Sequence, residues 1–121
     1  MKKLIFALTL ISSQAFAFNL KEVSGKYSAK YDSVPINSVI TIESNGTINL
    51  VEKSVHGAPL VCNGKAKVKN NKITSNVKCV NGFTFEQVVN LTNVKNLNEF
   101  TAPVYSTLFG QEVMVSFKRI Q

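Results

Sequence analysis

Cys62-Asn63-Gly64-Lys65-Ala66-Lys67-Val68-Lys69-Asn70-Asn71-Lys72-Ile73-Thr74-Ser75-Asn76-Val77-Lys78-Cys79 reads as two strands about a tight turn. Cys62, Gly64, Ala66 and Val68 alternate with Asn63, Lys65, Lys67 and Lys69. Ile73, Ser75, Val77 and Cys79 alternate with Lys72, Thr74, Asn76 and Lys78. Period-two alternation marks strands with one face turned to a core. Paired residues of a hairpin share a face, so loop length must keep apolar opposite apolar. A two-residue Asn70-Asn71 loop meets that condition. It sets Val68 opposite Ile73, Ala66 opposite Ser75, Gly64 opposite Val77 and Cys62 opposite Cys79. Asn tolerates the positive φ values of a type I′ turn. Counting from the turn makes 62/79 a non-hydrogen-bonded pair, with Cα atoms expected ~4.5 Å apart, within disulfide range. A Cys62–Cys79 disulfide is therefore expected in an oxidising compartment.

The neighbouring turns follow a second rule. Ser44-Asn45-Gly46 and Val80-Asn81-Gly82 both end in Gly. A two-residue Asn45-Gly46 loop would mix the faces. A three-residue loop pairs Ile42 with Ile48 and Ile40 with Leu50. The same loop length after Cys79 pairs Val77 with Phe85, Ser75 with Gln87 and Ile73 with Val89. This is the type I turn with a G1 bulge, which needs Gly in the left-handed region. Further alternation appears at Tyr27, Ala29 and Tyr31, at Phe83 to Leu91, at Phe100, Ala102 and Val104, and at Val113, Val115 and Phe117. Leu108-Phe109-Gly110 marks the last turn, and Asn19 to Ser24 a short helical turn. Thr92 to Glu99 is either a loop or one helical turn, with Val94 and Leu97 three apart.

About eight sequential strands predict an all-β, up-and-down antiparallel meander, and closure into a small barrel would remove its edges. A flatter sandwich is the alternative. The eight-strand plan and Gly25-Lys26-Tyr27 resemble the lipocalin-like (calycin) small exported barrels, whose opening Gly-x-Trp has Trp where this chain has Tyr27. The chain is also shorter than a typical lipocalin. That resemblance implies a non-enzymatic binding protein holding a small apolar or amphipathic ligand. Small bacterial periplasmic lysozyme inhibitors are similar in size, export and strand content, but none of their diagnostic residues is present.

The amino-terminal segment reads as an address. Lys2 and Lys3 precede an apolar run from Leu4 to Ile11, and Ala15-Phe16-Ala17 forms an A-x-A cleavage site. Residues 1–17 are expected to be a signal peptide and residues 18–121 a single β-barrel domain. Cleavage leaves 104 of the 121 residues and lowers the formal charge from +7 to +5. The run is shorter than the ~20 residues a spanning helix needs, so no membrane span is expected. No Cys lies near the cleavage point, and the Lys-Lys start suggests a bacterial chain that is periplasmic or secreted. Asn45-Gly46-Thr47 and Asn90-Leu91-Thr92 would act as glycosylation sequons only in a eukaryotic secretory route.

The residue inventory bounds the chemistry. His56 is the only histidine, the two cysteines are assigned to a bridge, and the seven acids are scattered. No phosphate-binding Gly-rich loop, paired carboxylates or metal-ligand cluster is legible. No enzyme, metal or cofactor is expected, an activity centred on His56 being the least favoured reading. Nucleic acid is not expected either, because Arg119 is the only arginine. Two binding readings remain, both for a monomer. Small inward residues could leave a cavity, with Tyr27, Tyr31, Ala66, Ser75, Phe85 and Gln87 lining it, unless aromatic rings fill that space. Alternatively, no acid occurs from Lys53 to Phe85, and Lys65, Lys67, Lys69, Lys72 and Lys78 share the outer face of the central hairpin. Five ammonium groups there suit an anionic envelope component or act as an inhibitor surface, or simply keep a solvated exterior from pairing with other sheets.

Overall fold

A computed structural model of the chain describes residues 17–32, 34–54 and 57–120. The expected leader lies outside these residues apart from Ala17, and His56 lies outside them altogether. A four-residue helix, α1 (Leu20–Val23), precedes eight strands: β1 (Gly25–Tyr31), β2 (Ile36–Ile42), β3 (Thr47–Ser54), β4 (Leu60–Lys69), β5 (Lys72–Cys79), β6 (Thr84–Asn90), β7 (Glu99–Ser106) and β8 (Gln111–Ile120). Each strand pairs antiparallel with the next, and β8 returns to β1 to close the barrel.

The register follows the parity argument. Asn70 and Asn71 take φ values of 53° and 58°, the left-handed pair that a two-residue turn demands. Val68 faces Ile73, Gly64 faces Val77, and Cys62 faces Cys79. Cys62 and Cys79 are joined by a disulfide with Cα atoms 3.9 Å apart. The two Gly-terminated turns share one hydrogen-bond pattern. The Gly46 N–H donates to the Glu43 carbonyl at 2.9 Å, and the Gly82 N–H to the Cys79 carbonyl at 2.9 Å. Their φ values, 95° and 93°, suit glycine alone. Ile42 pairs with Ile48 and Val77 with Phe85, as that loop length requires.

Two sequence expectations change. Phe83 follows Gly82 in the turn, outside β6, and is exposed, although it shares parity with buried Phe85. Parity buries a side chain only where a facing strand exists, and Phe83 lies beyond the rim. Gly64 is inward, but it leaves no space. A Cβ there would fall onto the Asn76 carbonyl oxygen and within 2.8 Å of the Val77 Cα. Glycine lets the two backbones of this hairpin approach.

The two barrel ends differ. At one end, α1 is capped by a reciprocal Asn19–Glu22 pair and buries Val23 completely. The segment 91–98 runs as loop and turns, and it tucks Leu91 and Val94 beneath the barrel. Arg119 fastens this end. Its Nη2 donates to the Glu22 carbonyl at 2.8 Å and to the Tyr27 hydroxyl at 2.6 Å, while its guanidinium lies 5.1 Å from the Tyr27 ring centroid. The Tyr27 hydroxyl donates in turn to the Val23 carbonyl at 2.7 Å. The opposite end carries the connections after β1, β3, β5 and β7. The β6–β7 ladder is short and stops at Val89 opposite Val104, next to Pro103, which has no N–H to give.

Gly64→Ala should lower stability by about 1–3 kcal/mol in urea unfolding, because the added methyl meets rigid backbone. An unchanged midpoint would show that the hairpin is not so closely packed. Replacing both Cys62 and Cys79 with Ala should cost about 3 kcal/mol, the loop-closure value for a crosslink of this span, read in the same experiment.

Candidate functional site

Inside the barrel, alternation turns inward all six residues expected to line a ligand cavity. Tyr27, Tyr31, Ala66, Ser75, Phe85 and Gln87 are buried. The aromatic rings fill the space between them. Phe100 stacks on Phe117 at 4.8 Å, with Tyr27 edge-on to Phe100 at 6.2 Å and Tyr31 edge-on to Phe109 at 5.8 Å. An interior cavity of about 20 Å³ is bounded by Tyr27, Ser75 and Gln87 together with Ile40, Ile73 and Phe100, while Tyr31, Ala66 and Phe85 do not line it. That is room for one water. Typical ligand pockets measure ~300–1,000 Å³. Tyr27 borders this cavity with its ring, and its hydroxyl, committed to Val23 and Arg119, ties the capped end.

The polar interior groups gather toward the other end. The Gln87 Nε2 donates to the Tyr31 hydroxyl at 3.3 Å, and the Ser75 hydroxyl reaches the Gln87 carbonyl at 3.5 Å. Two residues unnoticed in the sequence join them. Ser38 is buried, and its Oγ lies near enough to Tyr31 to influence its proton, yet no partner sits at hydrogen-bond geometry. Glu52 is half-buried and lines a cavity of about 150 Å³ with Ile36, Ala58 and Leu60. Parity marked both positions: Glu52 continues the inward series of Ile48 and Leu50, and Ser38 precedes Ile40 and Ile42. Burial raises the Glu52 pKa above the usual carboxylate range, against a smaller lowering by a hydrogen bond from Tyr31. Burial also raises the Tyr31 pKa, and the Glu52 charge raises it further. Among the described residues no group of three or more His, Cys, Asp or Glu is placed to hold a metal.

The outer face of the β4–β5 hairpin is the second candidate. Lys65, Lys67, Lys69, Lys72 and Lys78 are all exposed. Their cross-strand partners are Asn76, Thr74, Asn63 and, for Lys69, Lys72 itself. Like charges directly opposite repel and weaken a hairpin. On the β3 side the outward neighbours are Thr47, Asn49 and Val51, and Lys65 Nζ donates to the Thr47 hydroxyl at 3.4 Å. The register brings one acid alongside, Glu86 opposite Asn76 on β6. The arrangement is a cationic strip along the barrel wall, with its chemistry confined to ammonium donors.

The chain matches no protein-family model, no curated protein and no solved structure at a significant level.

Because the folded protein holds the Glu52 proton more tightly than the unfolded chain, stability should fall as pH rises from the usual carboxylate range through the raised value. Thermal unfolding of the protein and of Glu52→Gln from about pH 4 to about pH 8 measures this. The variant should lose that part of the slope and gain stability at neutral pH. Parallel curves would mean that Glu52 is well solvated.

Proposed function

We propose that the chain is an exported, non-enzymatic protein that engages an anionic envelope component through the outer face of β4–β5. The observation that carries this reading is the placement of five lysines on one acid-free hairpin face, two of them directly opposed at Lys69 and Lys72. That opposition costs stability in the free protein, and a bound anion between the two ammonium groups relieves it. The small cavity among the inward rings, about 20 Å³, shifts weight from an enclosed ligand to the outer wall. Export draws support from the Cys62–Cys79 bridge, since such bonds persist in oxidising compartments. It also agrees with Phe18, the residue that cleavage would leave first, whose backbone nitrogen donates to Asn71 Oδ1 at 2.8 Å.

A second reading keeps a small ligand within a calycin-like barrel. It is favoured by the closed eight-strand meander that begins at Gly25-Lys26-Tyr27 and by the unpartnered Ser38 hydroxyl beside Tyr31 and Glu52. Such a ligand would be small, would offer a hydrogen-bond donor to Glu52, and would displace part of the ring cluster. Native mass spectrometry of protein from its own host distinguishes the two, because only the second predicts a carried small molecule.

Lys65→Gln, Lys67→Gln and Lys69→Gln together should move elution from an anionic matrix to lower salt, and the difference should shrink as salt is raised to about 1 M, where screening is nearly complete. An unchanged elution position would remove the lysine face from the function.

A further inference from the structure

The lysine strip ends in an apolar tip. Val61 lies one residue before Cys62, and Val80 one residue after Cys79. The Val80 N–H donates to the Val61 carbonyl at 2.9 Å, which continues the β4–β5 ladder past the disulfide. Alternation therefore turns both valines to the outer face that carries Lys65, Lys67 and Lys78. Val80 is 75% exposed, Phe83 in the same turn 60%, and Val61 36%. The tip is held firmly. Its turn is closed by the Gly82 and Cys79 backbone hydrogen bonds, and the disulfide lies directly beneath it.

We propose that this face docks on an anionic lipid bilayer, with Val80 and Val61 entering the interface, the lysines lying along the headgroups and Phe83 left at the rim of the barrel mouth. The proposal rests on the anionic-surface reading above and names its partner. Charge complementarity selects an anionic surface, and the apolar tip selects a bilayer over a polysaccharide, which offers no apolar layer to receive the valines. The geometry suits a barrel lying on its side. Lys78 and Lys72 are six residues apart on β5, so the cationic strip is roughly 20 Å long at ~3.3 Å per residue. An upright barrel would lift Lys69 and Lys72 beyond the ~8–10 Å screening distance of physiological salt. Lying flat keeps them in contact with the headgroups. Lipid binding of this kind needs both terms, since apolar burial and attraction to anionic lipid add.

The chain contains no Trp, so Val80→Trp places a single indole on the docking face. The purified variant, as its host processes it, is mixed with vesicles of phosphatidylcholine alone or with added phosphatidylglycerol. The indole emission should shift to the blue with the anionic vesicles only, and a quencher placed in the acyl chains should reduce it. Emission that stays unchanged while the same protein is retained on an anionic polysaccharide column would overturn the lipid proposal and leave the anionic-surface reading standing. Loss of both signals would overturn both. Val80→Asn should weaken vesicle binding about tenfold, given the apolar area lost, and leave column retention unaltered. The lysine variant should lose both. Equal vesicle binding by the tip variant and the parent would overturn the role of the tip. Val80 is an exposed turn residue, and circular dichroism checks that each variant keeps the barrel.

Discussion

The pairing parity set at Asn70-Asn71 is the constraint on which the rest depends. Two consecutive positive φ values allow a two-residue turn, and a two-residue turn admits one register. A slip by one residue would carry every side chain of a strand to the opposite face. The observed register holds Cys62 over Cys79, leaves Gly64 where two backbones converge, and sends five lysines outward. The three-residue turns at Gly46 and Gly82 transmit the same parity to β2–β3 and β5–β6. Closure of β1 onto β8 then requires that Ala29 meet Phe117 and Tyr31 meet Val115, all four on the inner side.

Closure leaves two ends to be satisfied, and the chain treats them differently. The α1 end is sealed by apolar side chains and by one guanidinium that spans β8, α1 and Tyr27. Arg119 works there as a tie. Its donors reach main-chain carbonyls that the short helix leaves unpaired, and the Tyr27 ring covers its face. The other end keeps hydroxyl, amide and carboxylate groups within the wall, at Tyr31, Ser38, Gln87 and Glu52. Polar groups in low dielectric are expensive unless paired, which is why the Glu52 carboxyl holds its proton to higher pH.

Inside and outside therefore offer unequal opportunities. The cavity among the packed rings holds about 20 Å³, whereas the lysines of β4 and β5 stand exposed on the wall. There the cationic strip and the Val80–Phe83 turn adjoin, and the disulfide beneath them stiffens their junction. A stiff junction loses little conformational entropy on contact.

Fold class, the disulfide and the register of three hairpins were legible in the chain itself, because alternation and turn length are local and constrain each other. The lysines' outward placement followed from the same counting, as did the burial of Tyr31, Ser75 and Gln87. Parity also pointed inward at Ser38 and Glu52, but their polarity masked the signal. Three matters were decided only by tertiary structure. Gly64 reads as an absence of side chain, and only the facing strand shows that backbone occupies the place. Arg119 and Tyr27 are 92 residues apart, and no local pattern joins positions brought together by barrel closure. Phe83 shares the parity of Phe85, yet the height of the wall exposes one and buries the other. Sequence carries periodicity and turn geometry, which are properties of neighbours, whereas the volume left inside a closed wall belongs to all the strands at once.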